Sequence, residues 1–253
     1  MAYSMFRNLK LVYGTHKMVD GINYGIVCGA IDTATGYGNE ELIQSAISKQ
    51  NSIPIIITKF NSQDFENGIE EAISKHISKL GYSPQVVMLH SSFGSDDKNL
   101  NAYHALQRYF PDKILGVSNF SKNEIKYLIN NNCKPEVVQV EYHPKFQPKF
   151  LVKYCQENEI LVMAYRPFAK GELLNDPKIK NIAEKLDSTP AQVILKWLQN
   201  KDIIPVASSN SEEHIITNLF NDTPLTYTES IELTNMNIGK SGSTCMVKYC
   251  DAY

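Results

Sequence analysis

Two short runs, Ile53–Lys59 (IPIIITK) and Val86–His90 (VVMLH), flank a helical pattern over Phe65–Gly81 (FENGIEEAISKHISKLG), and this stretch decides the fold. Both runs are almost wholly apolar and neither alternates with polar residues. Strands covered on both faces read that way. The same alternation of run and helix extends in both directions. Upstream lie Leu9–Gly14 (LKLVYG) and Ala30–Ala34 (AIDTA); downstream lie Ile114–Ser118 (ILGVS), Val137–Glu141 (VVQVE), Ile160–Tyr165 (ILVMAY) and Ile203–Ala207 (IIPVA). Helical stretches between them include Asn39–Gln50, Asn101–Phe110, Ser121–Asn132, Pro148–Glu159 and Thr189–Lys201. Asn39 before Glu40, Ser121, and Thr189 before Pro190 supply start signals. Eight strands, each followed by a helical stretch, predict an α/β chain closed into a (β/α)8 TIM barrel. A doubly wound open sheet is the alternative. It usually holds a dinucleotide with a GxGxxG turn after a strand, and the chain contains none.

Composition narrows the function classes. The chain has 253 residues, 43% hydrophobic, which suits one domain spanning 1–253. A formal net charge of −2 supplies no basic field to gather nucleic acid or an anionic membrane. No apolar run approaches a membrane span, and the N-terminus lacks a signal-peptide core. The five cysteines are odd in number and scattered, so neither a disulfide framework nor a metal site is expected, and a reducing cytoplasm is. Cys245 and Cys250 could pair, but free thiols are the expectation. With no coiled-coil pattern, a monomer is expected.

A parallel barrel carries its active site at the C-terminal ends of its strands. Asp32, Lys59, His90, Ser118, Glu141 and Tyr165 all stand at or near such ends. Any one of them reads as a polar residue marking where a strand stops; together they form a set suited to carbonyl reduction. That reaction needs an acid to protonate the developing alkoxide. Tyr37 qualifies if its pKa, about 10 when free, is lowered by an ammonium. Lys59 is the candidate ammonium, Asp32 the carboxylate that keeps it charged, and His90 the donor that orients the carbonyl oxygen.

The motifs around these residues resemble the aldo-keto reductase family. Ala30-Ile31-Asp32-Thr33-Ala34-Thr35-Gly36-Tyr37-Gly38-Asn39-Glu40 matches its first signature, and GVSNF at Gly116–Phe120 and QVEYHP at Gln139–Pro144 match two others. TPAQVILKW at Thr189–Trp197 resembles the family's seventh barrel helix, and the likeness runs from about Gly14 to Asn218. The resemblance implies a catalytic tetrad of Asp32, Tyr37, Lys59 and His90, and an extended nicotinamide dinucleotide as cofactor. Ser118, Asn119 and Gln139 would hold the carboxamide and Tyr165 would stack on the nicotinamide ring. Thr15 and Asp32 are counted among the cofactor contacts, as is Arg166, which stands where relatives usually carry Ser. Arg166 would reach the pyrophosphate or an anionic substrate, or lie along the rim.

The chain departs from that pattern in two places. Val206 and His214 occupy the positions of the Lys and Arg that clamp a 2′-phosphate in relatives, with Asn218 as the closing Asn. Ser208, Ser209 and Ser211 and the following helix start could hold a phosphate instead. NADPH is the cofactor the resemblance implies, because the family mostly uses it, with NADH as an alternative and weaker discrimination against it than usual. His16, Asn61 and Ser91 replace the tryptophans that often wall the substrate site, so a polar, open pocket for small polar aldehydes is expected. The loop after His90 is brief and the segment beyond Asn218 slight; Tyr227, Tyr249 and Tyr253 could cover part of the mouth. Two other readings compete: a cofactor-binding regulatory or structural protein on the same barrel, and an isomerase or aldolase using Lys59 as a Schiff-base residue.

Overall fold

The computed structural model describes residues 2–6 and 8–245. The apolar runs form strands β1 (Val12–Gly14), β2 (Ala30–Asp32), β3 (Ile55–Phe60), β4 (Val86–Leu89), β5 (Ile114–Ser118), β6 (Val137–Glu141), β7 (Leu161–Tyr165) and β8 (Ile203–Ala207). They pair in sequence order, all parallel, and β1 closes on β8 through Val12 opposite Val206 and Tyr13 opposite Ala207. The (β/α)8 barrel expected from the run pattern is the fold of the chain.

Strand residues alternate between faces, and here the alternation sorts chemistry as well as packing. Val12, Ala30, Ile57, Val86, Met88, Ile114, Val137, Leu161, Met163 and Val206 form one cluster inside the barrel, joined by Phe6 of the short helix Ala2–Phe6. Their neighbours Ile31, Ile56, Phe60, Val87, Leu89, Val138 and Val162 pack outward in the clusters beneath the helices. Following the inward face to the C-terminal end of each strand leads to Asp32, Lys59, His90, Ser118, Gln139, Glu141 and Tyr165. The interior is thus apolar below and polar at the mouth.

The helices depart from the sequence reading in detail. Thr189 and Ser121 each close a capping box, with Gln192 and Glu124. Asn39 precedes its helix without a side-chain cap bond; its Nδ2 donates to the Thr15 carbonyl at 2.7 Å, tying the β2 loop to the β1 loop. The Phe65–Gly81 stretch is two helices, Ser62–Glu66 and Ile69–Leu80, because Gly68 takes φ 102 between them. β1 is followed by a single turn, Ile22–Gly25, and a 3-10 turn, Ile26–Cys28, rather than by a full helix.

The segment beyond Asn218 does more than its length indicated. Helix Tyr227–Thr234 packs beside the barrel, where Thr234 accepts a 3.1 Å bond from the buried Trp197 indole. Tyr227 opens that helix at 81% exposure and does not cover the mouth. The chain then turns through Gly239–Gly242 and returns to the mouth at Ser243–Cys245. Tyr249, Cys250 and Tyr253, and with them a Cys245–Cys250 pair, lie outside the described residues. No helix among the described residues is long and apolar enough to cross a membrane.

Gly116 faces inward on β5, where an added Cβ would stand 2.5 Å from the Val137 carbonyl oxygen and 3.0 Å from the Met88 methyl. Gly116→Ala is expected to destabilise the fold by about 1–3 kcal/mol, as overpacking does. Chemical denaturation measures this, and an unchanged midpoint would contradict the packing described.

Candidate active site

Lys59 is buried at 1% exposure inside the barrel. Its Nζ donates to Asp32 Oδ1 at 2.6 Å and to the Thr33 carbonyl at 2.9 Å, and Asp32 Oδ1 also accepts from Gln139 Nε2 at 2.8 Å. A buried charge needs a partner and satisfied hydrogen bonds, and β2, β3 and β6 supply both here. Burial pulls the Lys59 ammonium below the usual lysine range, and the adjacent Asp32 opposes that pull.

Tyr37 rides on a 3-10 turn, Thr35–Tyr37, that ends at Gly38 in the left-handed region at φ 65. The turn is fastened by Thr35 Oγ1 donating to Asp64 Oδ2 at 2.7 Å. A network unsignalled in the sequence holds the same region from outside the barrel. Thr58, which points outward next to Lys59, meets His76 Nε2 at 2.7 Å, and His76 Nδ1 meets Glu40 Oε1 at 2.9 Å, all three residues buried. Glu40 opens the helix directly after the Tyr37 turn, so Tyr37 and Lys59 share one frame.

The Tyr37 ring lies 5.5 Å from Lys59 Nζ, 4.7 Å from the His16 ring and 5.8 Å from the His90 ring, which it meets edge-on. The phenol pKa is raised, chiefly by burial and further by Asp32, against a lowering pull from Arg166. Desolvation is the largest of these causes, so the phenol stands above its free value. Tyr37 therefore rests as a protonated donor. Burial, then Lys59 and His16, push His90 down to about 3, so its ring is neutral and keeps one N–H to donate.

These side chains open onto a cavity of about 560 Å³ lined by His16, Asp32, Tyr37, His90, Ser118, Asn119, Gln139, Tyr165, Arg166 and Ser208. Asn119 organises its far wall from a left-handed backbone at φ 61. Its Nδ2 donates to the His90 carbonyl at 2.9 Å and to Ser118 Oγ at 3.1 Å, and its Oδ1 accepts from the Tyr165 hydroxyl at 2.7 Å. The apolar lining comes from Pro167, Phe168, Leu174, Val206 and Ala207.

Other candidate residues stand apart from the cavity. Thr15 has the outward parity of β1 and donates to the Asp32 carbonyl at 3.0 Å. Asn61 caps helix Ser62–Glu66, accepting from Gln63 and Asp64, so its side chain is not a pocket wall. Ser91 is exposed and outside the lining. In the β8 loop, the Ser209 carbonyl accepts from Tyr13 at 2.8 Å, Ser209 Oγ accepts from the Ser211 amide, and Ser211 caps the helix Glu212–Leu219. His214 is exposed and Asn218 buried on that helix. Its first turn carries Glu212 and Glu213, which already complement its positive end and oppose a phosphate there.

The sequence reading gave Glu141 a place at the mouth but no partner. The structure shows it fully buried and holding the returning C-terminal segment. Oε1 accepts from the Thr244 amide at 2.8 Å, Thr244 Oγ1 at 2.5 Å and His143 Nε2 at 3.3 Å. Oε2 accepts from Ser243 Oγ at 2.6 Å and the Cys245 amide at 3.2 Å. Burial would raise this carboxyl, but the bonds from His143, Ser243 and Thr244 outweigh it and hold the pKa down at about 2.

Residues 18–230 match the model of the aldo/keto reductase family. The chain is 30% identical over 199 residues to a glyoxal reductase of Bacillus subtilis, covering 75% of this chain and 71% of the relative. It is 30% identical over 254 residues to an aldehyde reductase of Saccharomyces cerevisiae, covering 82% and 81%. Among solved structures it is similar to an aldo-keto reductase enzyme from a Medee basin deep-sea metagenome library, at TM-score 0.84 and 29% identity over 96% of this chain and 94% of that one. The chain belongs to the aldo-keto reductase family, a family of oxidoreductases.

Because Glu141 is held at about 2 against an ordinary 4.5, its bonds stabilise the fold fully above pH 4.5 and less as pH falls toward 2. Glu141→Gln is expected to be less stable than wild type at neutral pH, with a gap that narrows through that window. Denaturation at stepped pH reads the gap, and one that stays constant would contradict the assignment.

Proposed function

We propose that the chain is an NADPH-dependent reductase of aldehydes and some ketones, with small polar aldehydes and ketoaldehydes preferred. The observation that carries this reading is the Tyr37 phenol and His90 ring meeting edge-on at 5.8 Å on one cavity above the buried Lys59–Asp32 pair. The cavity residues fit a nicotinamide: Ser118 and Gln139 offer groups for a carboxamide, Asn119 sets their wall, and Tyr165 offers a ring to stack on. When bound, the dinucleotide supplies the hydride that goes to the carbonyl carbon.

The protein's share is acid catalysis and positioning. His90 donates its N–H to the carbonyl oxygen and aims it at Tyr37. Tyr37 then gives its proton to that oxygen. The phenolate left behind is stabilised by Lys59, whose charge Asp32 maintains. Stabilising the phenolate brings the phenol pKa below what burial alone would set. A positioned general acid contributes typically about 10²–10⁴-fold.

Substrate size follows from the walls. His16 lines the cavity beside Tyr37, while Asn61 and Ser91 contribute no aromatic surface. The similarity to a glyoxal reductase agrees with a small dicarbonyl or aldehyde. For the cofactor, NADPH is kept because the family mostly uses it; Val206 and His214 supply no fixed charges and Glu212 and Glu213 oppose a 2′-phosphate, so the preference over NADH is slight. We place this activity in a cytoplasmic, single-domain monomer.

Loss of NADPH absorbance with methylglyoxal tests the reading. Tyr37→Phe is expected to lower kcat/KM by about 10²–10⁴-fold while still binding the dinucleotide. Wild type and variant both inert but binding would favour the regulatory alternative. The ratio of kcat/KM for NADPH over NADH is expected to stay below about tenfold, or 1.4 kcal/mol; a ratio of about a thousandfold would show a phosphate clamp elsewhere.

A further inference from the structure

Arg166 follows Tyr165 at the end of β7 with its backbone in the left-handed region at φ 53, uncommon for a long side chain. Its side chain lines the cavity. Nη1 donates to the Thr244 carbonyl at 3.1 Å, to Thr244 Oγ1 at 3.2 Å, and to Cys245 Sγ. All three acceptors are neutral, and all belong to the segment that Glu141 holds. Among the described residues no carboxylate forms an ion pair with Arg166.

The remaining charges point the same way. Among the described lining residues Asp32 is the acid, and it is engaged by Lys59 and Gln139. Lys170 adds a second cation to the lining from the same loop. The guanidinium's field reaches the reaction centre, since it acts on both the Tyr37 phenol and the His16 ring. A half-buried guanidinium held by neutral acceptors retains its preference for a counter-ion, and its planar fork matches carboxylate or phosphate oxygens.

We propose that Arg166 is an anion-docking group on the wall of the reduction site, posed by Thr244 and Cys245. It takes the carboxylate of an oxo-acid substrate. This rests on the reductase reading for the identity of the site, but its test is a binding test. Calorimetric Kd values for NADPH, and for glyoxylate added to the dinucleotide complex, would be measured on wild type, Arg166→Gln and Arg166→Lys. A charge-assisted bond of this kind is worth about 1.5–3 kcal/mol, so Arg166→Gln is expected to weaken the glyoxylate Kd by about tenfold or more, with Arg166→Lys intermediate. A glyoxylate loss no larger than the NADPH loss in Arg166→Gln, or equal glyoxylate losses in the Gln and Lys variants, would overturn the proposal. Wild-type turnover of the uncharged glycolaldehyde is followed in parallel: its absence would count against the reductase reading, while the Kd values still judge Arg166.

Discussion

The 2.6 Å pair between Lys59 and Asp32 is the constraint around which the mouth of the barrel is arranged. Removing one partner would leave an uncompensated buried charge at a cost of about 3–5 kcal/mol. The fold avoids that by drawing on three strands. β2 brings Asp32 and the Thr33 carbonyl, β3 brings Lys59, and β6 brings Gln139 to the same carboxylate oxygen. Such a cluster requires those strands to be in register at one end of a closed sheet. Tyr37, His90 and His16 then gather on the solvent side of the pair, where burial keeps the phenol protonated and the His90 imidazole neutral.

A second anchor acts at the opposite wall. Glu141 gathers Ser243, Thr244 and Cys245 onto β6, and those residues hold Arg166 and reach the Tyr165 hydroxyl. Tyr165 leads on through Asn119 to the His90 carbonyl. Ser243–Cys245 is therefore coupled to the His90 side of the cavity by hydrogen bonds. The barrel provides a rigid apolar base, and the polar chemistry is arranged by a few carboxylates and amides at strand ends.

Most of the barrel was legible because fully covered strands carry their own signal, as IPIIITK and VVMLH do. Strand parity also carries information that a motif alone does not. Asp32, Lys59, His90, Gln139 and Tyr165 share the inward face, whereas Thr15 lies on the outward one. Other features depend on contacts that no local pattern encodes. Asn61 reads as a pocket residue by position but is consumed by the capping box with Asp64. Ser243–Cys245 has no motif, and its importance comes from a carboxylate about a hundred residues earlier in the chain. The Thr58–His76–Glu40 network joins a strand to two helices through side chains that each look ordinary in sequence. The desolvation that raises the Tyr37 phenol likewise depends on the closed barrel around it, which no local pattern encodes.

The Lys59–Asp32 pair is proposed to serve proton donation by Tyr37. Substituting both charges together, as Asp32→Asn with Lys59→Met, avoids leaving either one orphaned in the interior. Turnover of a small aldehyde by this double variant, at saturating dinucleotide, tests the claim most directly. A folded chain that still binds dinucleotide but turns over about a hundredfold more slowly, or less, is the predicted result. Turnover within about threefold of wild type would contradict it and reduce the pair to a structural element of the barrel.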